Sequence, residues 1–154
     1  MPCCVFFGHK DADSSISSRL REAIVKLICE QGVNEFLVGN NGRFDYIVYS
    51  VLKEIKAEYP NITCSVVLAY LPGEKQEYEN YYTEEETFLP DGIEIGPARF
   101  AIDRRNKWMV EQADYVITHV TNSWGGAAKF KELAEKKGKP VINIERKLLS
   151  NCSC

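Results

Sequence analysis

No stretch of this chain approaches the roughly 20 consecutive apolar residues of a bilayer-crossing helix, so no membrane role is expected. Nor is there a basic excess. The net charge is −3, the pI is about 5.5 and Lys and Arg are scattered, which argues against nucleic-acid binding. The opening Met1-Pro2-Cys3-Cys4-Val5-Phe6-Phe7-Gly8 is too short for a secretory leader and runs straight into a strand pattern. The expected location is therefore the cytoplasm, where the acceptor-like Asn61-Ile62-Thr63 has no meaning. The six cysteines form no C-x-x-C pair, so they read as reduced thiols and no metal site is expected. Internal repeats and low-complexity segments are missing too. Neither G-x-G-x-x-G nor a Walker pattern occurs, which leaves a dinucleotide fold or P-loop without its signature.

What the chain does have is a normal globular balance: 154 residues, 45% hydrophobic and 27% charged, enough for one domain with a real core. Its hydrophobic period switches repeatedly. Val5-Phe6-Phe7 is a short buried run. Ile16, Leu20, Ile24, Leu27 and Ile28 make a helical stripe, with N-caps available at Asp13 to Ser15 and a stop at Gly32. Glu35-Phe36-Leu37-Val38 reads as a second strand, and Phe44 to Ile55 as a second helix. Thr63 to Tyr70 is a third strand, apolar on both faces as parallel strands are. Leu71 to Pro97 breaks the rhythm with acids, prolines and the aromatics Tyr78, Tyr81, Tyr82 and Phe88, a lid or a packed connection. A helix over Ala98 to Ala113, a strand at Tyr115 to Val120, a helix around Phe130 to Lys137 and a strand at Pro140 to Ile144 complete the series. Alternation of this kind predicts an α/β fold, a Rossmann-like three-layer sandwich on a five-stranded, mostly parallel sheet. Residues 1–146 form the expected single domain, and 147–154 a flexible tail.

Ligands of such sheets bind where strand order reverses, at the carboxyl ends of the strands. Three turns are expected there: Gly8-His9, the stretch from Gly39, Asn40, Asn41 and Gly42 to Asp45, and Asn122 to Gly126 with Trp124 and Gly125. The last two are Gly-rich and open directly into helices, so their amides can approach an anion. The plain alternative for Gly39 to Gly42 is a tight turn at positive φ, where Gly and Asn are the usual occupants. His9 suits a hydrogen-bonding contact, Asp45 a loop-holding role at a helix start, and Trp124 stacking on a base. Arg105 falls beside Ile102 and Met109 on an inward stripe, unusual for a solvated arginine, whereas Arg104 reads as a surface residue or a second phosphate contact.

The stretch Arg105-Asn106-Lys107-Trp108-Met109-Val110-Glu111-Gln112-Ala113-Asp114, followed by a strand and by Trp124-Gly125-Gly126-Ala127-Ala128-Lys129-Phe130-Lys131-Glu132, resembles the hallmark of the Lonely Guy phosphoribohydrolases, R-K-x-x-M-x-x-x-A-D then P-G-G-x-G-T-x-x-E. Gly39-Asn40-Asn41-Gly42-Arg43-Phe44-Asp45 is similar to the G-G-A-x-G-F-D turn of small members of the broader SLOG superfamily, which includes the DNA-processing protein A domain. Phe7-Gly8-His9-Lys10 resembles the T-G-H-R opening of a small bacterial branch. The resemblance spans about residues 4 to 144. It implies a nucleoside phosphate or nucleotide-derived ligand, no cofactor, a homodimer, Arg105 and Glu132 as catalytic residues, and Gly125 and Gly126 as phosphate binders. Asn106, Trp124, Ala128 and Lys129 depart from the pattern, which bears on hydrolysis more than on the ligand class. Ligand binding at the glycine turns is the leading expectation. A nucleoside 5′-monophosphate N-glycosidase is the first alternative: its carboxylate would stabilise an oxocarbenium-like state and activate water, while the arginine holds the phosphate. Single-stranded DNA binding is the second.

Overall fold

The computed structural model describes residues 2–70, 82–93 and 95–144. Tyr78 and Tyr81 of the expected lid, the expected tail 147–154 and Cys152 and Cys154 lie outside the described residues.

Strand β1 (Cys3–Gly8) leads through a short 3-10 turn (Ser14–Ile16) into α1 (Ser17–Gln31), then β2 (Glu35–Val38), α2 (Arg43–Glu58) and β3 (Thr63–Val67). After these come β4 (Thr87–Phe88), α3 (Ala101–Gln112), β5 (Tyr115–His119), α4 (Gly126–Lys136) and β6 (Val141–Asn143). Asp13 caps the 3-10 turn by accepting the Ser15 N–H at 3.3 Å. Gly32 closes α1 at φ 68, a left-handed conformation that a Cβ disfavours.

The sheet has the order β4-β3-β2-β1-β5-β6, and every pairing is parallel. The Rossmann-like α/β architecture expected from the alternation is the one observed. Among the described residues the strand count is six rather than five. The added edge strand β4 has only two residues, too few to show any period, and is held by register Val66↔Thr87 and by the Leu68 N–H on the Phe88 carbonyl at 2.8 Å.

Side-chain alternation along the strands sorts the core into two layers. Cys4 and Phe6 of β1, Phe36 and Val38 of β2, Val66 of β3 and Ile117 of β5 pack with Leu20, Ile24, Phe44, Val48 and Leu52 of α1 and α2. Cys3, Val5 and Phe7, with Leu37, Val67 and Val116, pack with Met109 and Val110 of α3 and Phe130 and Ala134 of α4. Both faces of the sheet are covered, so these strands read as continuous apolar runs. Among the described residues no helix is long and apolar enough to cross a membrane.

The strand order turns back at β1: β2, β3 and β4 lie on one side of it, β5 and β6 on the other. The carboxyl ends of β1 and β5 therefore flank the switch point. Asn143 of β6 braces this end. Its Oδ1 accepts from the Thr118 hydroxyl at 2.8 Å and the Val120 N–H at 2.9 Å, and its Nδ2 donates to the Val120 carbonyl at 3.0 Å. At the tip of β1, a Cβ on Gly8 would lie 2.3 Å from Cγ of Phe44, whose ring seals the underside. Gly8→Ala is accordingly expected to destabilise the fold by about 1–3 kcal/mol in urea unfolding, as overpacking does. Unchanged stability would show that the ring can move aside.

Candidate ligand-binding site

Above the switch point lies a cleft of about 610 Å³, open to solvent. Its walls come from the ends of β1 and β2, the start of α2, one stripe of α3 and the loop and first turn leading into α4. Of the residues singled out in the sequence, Gly8, His9, Gly39, Asn41, Asp45, Arg105, Asn122, Trp124, Gly125 and Gly126 all line it. Asn40 stands behind this wall and Gly42 beside it: Asn40 binds Arg105, and a Cβ on Gly42 (φ 102) would lie 2.9 Å from Cα of Lys10.

Glu132 is not brought to the cleft. It is exposed on α4, where it pairs with Lys136 at 3.3 Å. Its angular position matches that of Gly125, but the helical rise of about 1.5 Å per residue carries it on the order of 10 Å down the axis.

Arg105 anchors the site. It is only 2% exposed, and it emerges from α3 toward the ends of two strands. Nη1 donates to the Val67 carbonyl at 3.1 Å and to Asn40 Oδ1 at 3.1 Å, and Nε donates to Asn106 Oδ1 at 2.9 Å. Asn40 in turn donates from Nδ2 to the Tyr82 hydroxyl at 3.2 Å, so the segment that returns to β4 is tied to the same cluster. Gly39 has no side chain because there is no room for one: a Cβ would lie 2.9 Å from both Cζ of Arg105 and Oδ2 of Asp45.

Asp45, in the first turn of α2, is 8% exposed and accepts the Asn41 N–H at 2.9 Å. Burial pushes its carboxyl up from the ordinary 3.8 to about 6, opposed by Arg105, the Asn41 amide and Lys10.

The two glycine corners are not equivalent. In the first, the Asn41 N–H is taken by Asp45, and the Arg43 N–H donates to the Lys10 carbonyl at 2.8 Å. These amides hold the loop in shape and do not face a ligand. In the second, Gly125 (φ 92) caps α4 with no side-chain partner. The first intrahelical bond there is from the Lys129 N–H to the Gly125 carbonyl at 3.1 Å, so the Gly126, Ala127 and Ala128 amides precede any helical acceptor. Asn122 sets the approach by accepting the Trp124 N–H at 3.2 Å. Trp124 itself is 73% exposed on the rim.

His9 joins the two halves. Its Nε2 accepts the Thr121 N–H at 2.9 Å, so in the neutral ring the proton sits on Nδ1. Its ring meets His119 edge-on at 5.9 Å, and His119 stacks on Phe44 at 6.3 Å.

Sequence reasoning missed Lys10, Asp11, Arg99, Ile102, Asp103, Asn106 and Thr121, which also line the cleft. Arg99, Ile102, Asp103 and Asn106 follow an i, i+3, i+4, i+7 spacing, a legible helical stripe whose mixed polarity hides it from any hydrophobic pattern. Asp103 pairs with Lys129 of α4 at 2.8 Å. Arg104 does not line the cleft: Nε donates to the Ile93 carbonyl at 2.6 Å and Nη1 to the Pro97 carbonyl at 2.8 Å, stapling that segment to α3.

The buried carboxyl has a measurable signature. A folded-state value near 6 against 3.8 means that the stability Asp45 contributes is complete below about pH 4 and is lost as pH rises through 6. The difference is a few kcal/mol at most. Asp45→Asn should flatten the stability profile over that window in denaturant titrations, and an unaltered slope would show that Asp45 does not carry it.

The known proteins agree with the architecture. No protein-family model matches the chain, and no curated protein matches it either. Among solved structures, the X-ray structure of DNA processing protein A from Streptococcus pneumoniae superposes with a TM-score of 0.67 at 16% identity, over 99% of this chain and 53% of that one. The chain thus spans about half the length of that protein. The likeness is one of fold, a parallel sheet with helices on both faces.

Proposed function

We propose that this chain, with its SLOG-like fold, binds a nucleoside phosphate or a nucleotide-derived small molecule in the switch-point cleft. One observation carries the reading: the unspent amides that open α4 at Gly125 and Gly126 and the buried guanidinium of Arg105 line one cleft. A helix N-terminus with free N–H groups favours an anion, and a phosphate is the anion that suits such a corner. Trp124 on the rim offers an aromatic face for the base. The volume of about 610 Å³ is in the range of small-molecule sites.

The N-glycosidase alternative needs a carboxylate at the sugar, and Glu132 lies outside the lining. Single-stranded DNA binding draws support from the likeness to DNA processing protein A and is opposed by the net charge of −3.

The test is calorimetric titration and thermal unfolding with the common ribonucleoside monophosphates and with oligodeoxythymidine. Monophosphates are expected to raise the melting temperature, and inorganic phosphate to compete with them. Trp124→Ala should weaken binding by about 1–3 kcal/mol, the usual worth of one stacked base, without unfolding the protein. Tight oligonucleotide binding with a steep salt dependence would favour the DNA reading instead. Free base released by the wild type and lost in Glu132→Ala would install the hydrolase. No shift with any monophosphate would end the binding proposal.

A further inference from the structure

The cleft holds a buried carboxyl that the fold uses only in part. Asp45 lines the cleft and is 8% exposed. Its Oδ2 accepts the Asn41 N–H at 2.9 Å, which shapes the corner before α2. Its Oδ1 has no hydrogen-bond partner among the described residues and, unlike the Asn41 carboxamide oxygen, is not sealed from solvent. Holding the corner needs one oxygen, and an asparagine would supply it without a buried charge. Arg105 and Lys10 favour the charged form through space, without a hydrogen bond to it. Burial nevertheless pushes the carboxyl up to about 6. At neutral pH and above it is therefore a carboxylate, able to accept hydrogen bonds and not to donate them.

A carboxylate oxygen open to the cleft repels a phosphate, so its partner in an anionic ligand is a neutral donor on another part of the molecule. We infer that Asp45 Oδ1 accepts a hydrogen bond from a sugar hydroxyl of the bound ligand, which makes the site selective for a ribonucleotide over its deoxy form. This inference rests on the binding reading above and sharpens it. The phosphate and the base have their places in that reading at adjacent residues of one corner, Gly125 with Gly126 and Trp124 on the rim. The sugar joins them, and its hydroxyls are the neutral donors left for the buried wall. Asp45 stands on the other side of the cleft, at the start of α2, behind a Gly39 whose Cβ would lie 2.9 Å from Oδ2. A side chain at position 39 would crowd the carboxyl, and its absence leaves the carboxyl in place beside the cleft. Sites built to pair a polar group discriminate against analogues lacking it, because the protein atom is then left unpaired.

The experiment is calorimetric titration, in slightly alkaline buffer, of the ribonucleoside monophosphate that binds best and of its 2′-deoxy and 3′-deoxy forms. One of the two deletions is expected to weaken binding to the wild type by about ten- to hundredfold, the usual worth of a hydrogen bond to a charged group. The analogue with fluorine at that position keeps the size and an acceptor but has no donor, and it should bind as weakly as the deoxy form. Asp45→Asn keeps an oxygen for the Asn41 amide and removes the charge. In that variant, its fold checked by circular dichroism, the ratio between ribose and deoxy forms should shrink to about threefold or less. Equal binding of the ribose and both deoxy forms by the wild type overturns the inference and leaves the binding reading intact, a result that needs no variant. A fluoro analogue that binds as tightly as the ribose form overturns it too, as does a ratio undiminished in Asp45→Asn. If no monophosphate binds at all, the binding reading fails and this inference goes with it.

Discussion

A guanidinium cannot be withdrawn from water unless its donors are met, and most of what surrounds the cleft exists to meet those of Arg105. The side chain leaves α3 and crosses to the carbonyl that ends β3 and to the carboxamide that follows β2. It thereby fastens a helix of one layer to two strand ends and, through Asn40 and Tyr82, to the segment entering β4. Gly39 is bare so that this charge and the carboxyl of Asp45 can both approach it. Removing one partner of such a buried cluster costs more than the bond itself, since the charge that remains has no water to turn to. This wall of the cleft is held by side chains from three elements for that reason.

The two corners differ in how their amides are used. The corner after β2 spends two of its amides on its own shape, while the first-turn amides of α4 have no partner among the described residues. The same residue type does different work in the two places. Gly42 and Gly125 both take up a positive φ, but Gly39 and Gly42 also clear space for neighbouring side chains, whereas nothing lies within 4 Å of where the Cβ of Gly125 would be.

The layered fold was legible because its signals are local. The helical stripe through Leu20, Ile24 and Leu27, the αL stop at Gly32 and the apolar runs of β1 and β2 each follow from a few neighbouring residues and are found as expected, whereas the third strand, expected to run to Tyr70, ends at Val67 and begins exposed at Thr63. The inward direction of Arg105 was legible for the same reason, since it shares a helix face with Met109. What the pattern missed was short or mixed. β4 is two residues long, and the stripe from Arg99 to Asn106 alternates charge, apolar and amide groups. For Glu132 the angle around α4 was legible, whereas the rise along the axis leaves it outside the lining of the cleft.

By itself, the sequence determined the class of fold, the order of its elements and the turns that meet at the switch point, because period, capping and turn chemistry are carried by adjacent residues. Only the tertiary structure decided which glycine amides remain free, why Gly8 and Gly39 have no side chain, and which of two neighbouring asparagines is already engaged. Those outcomes depend on Phe44, Arg105, Lys10 and Tyr82, which the folded sheet brings together from distant parts of the chain. Occupancy of a hydrogen bond or of a few cubic ångströms is a property of neighbours in space, and no spacing along the chain encodes it directly.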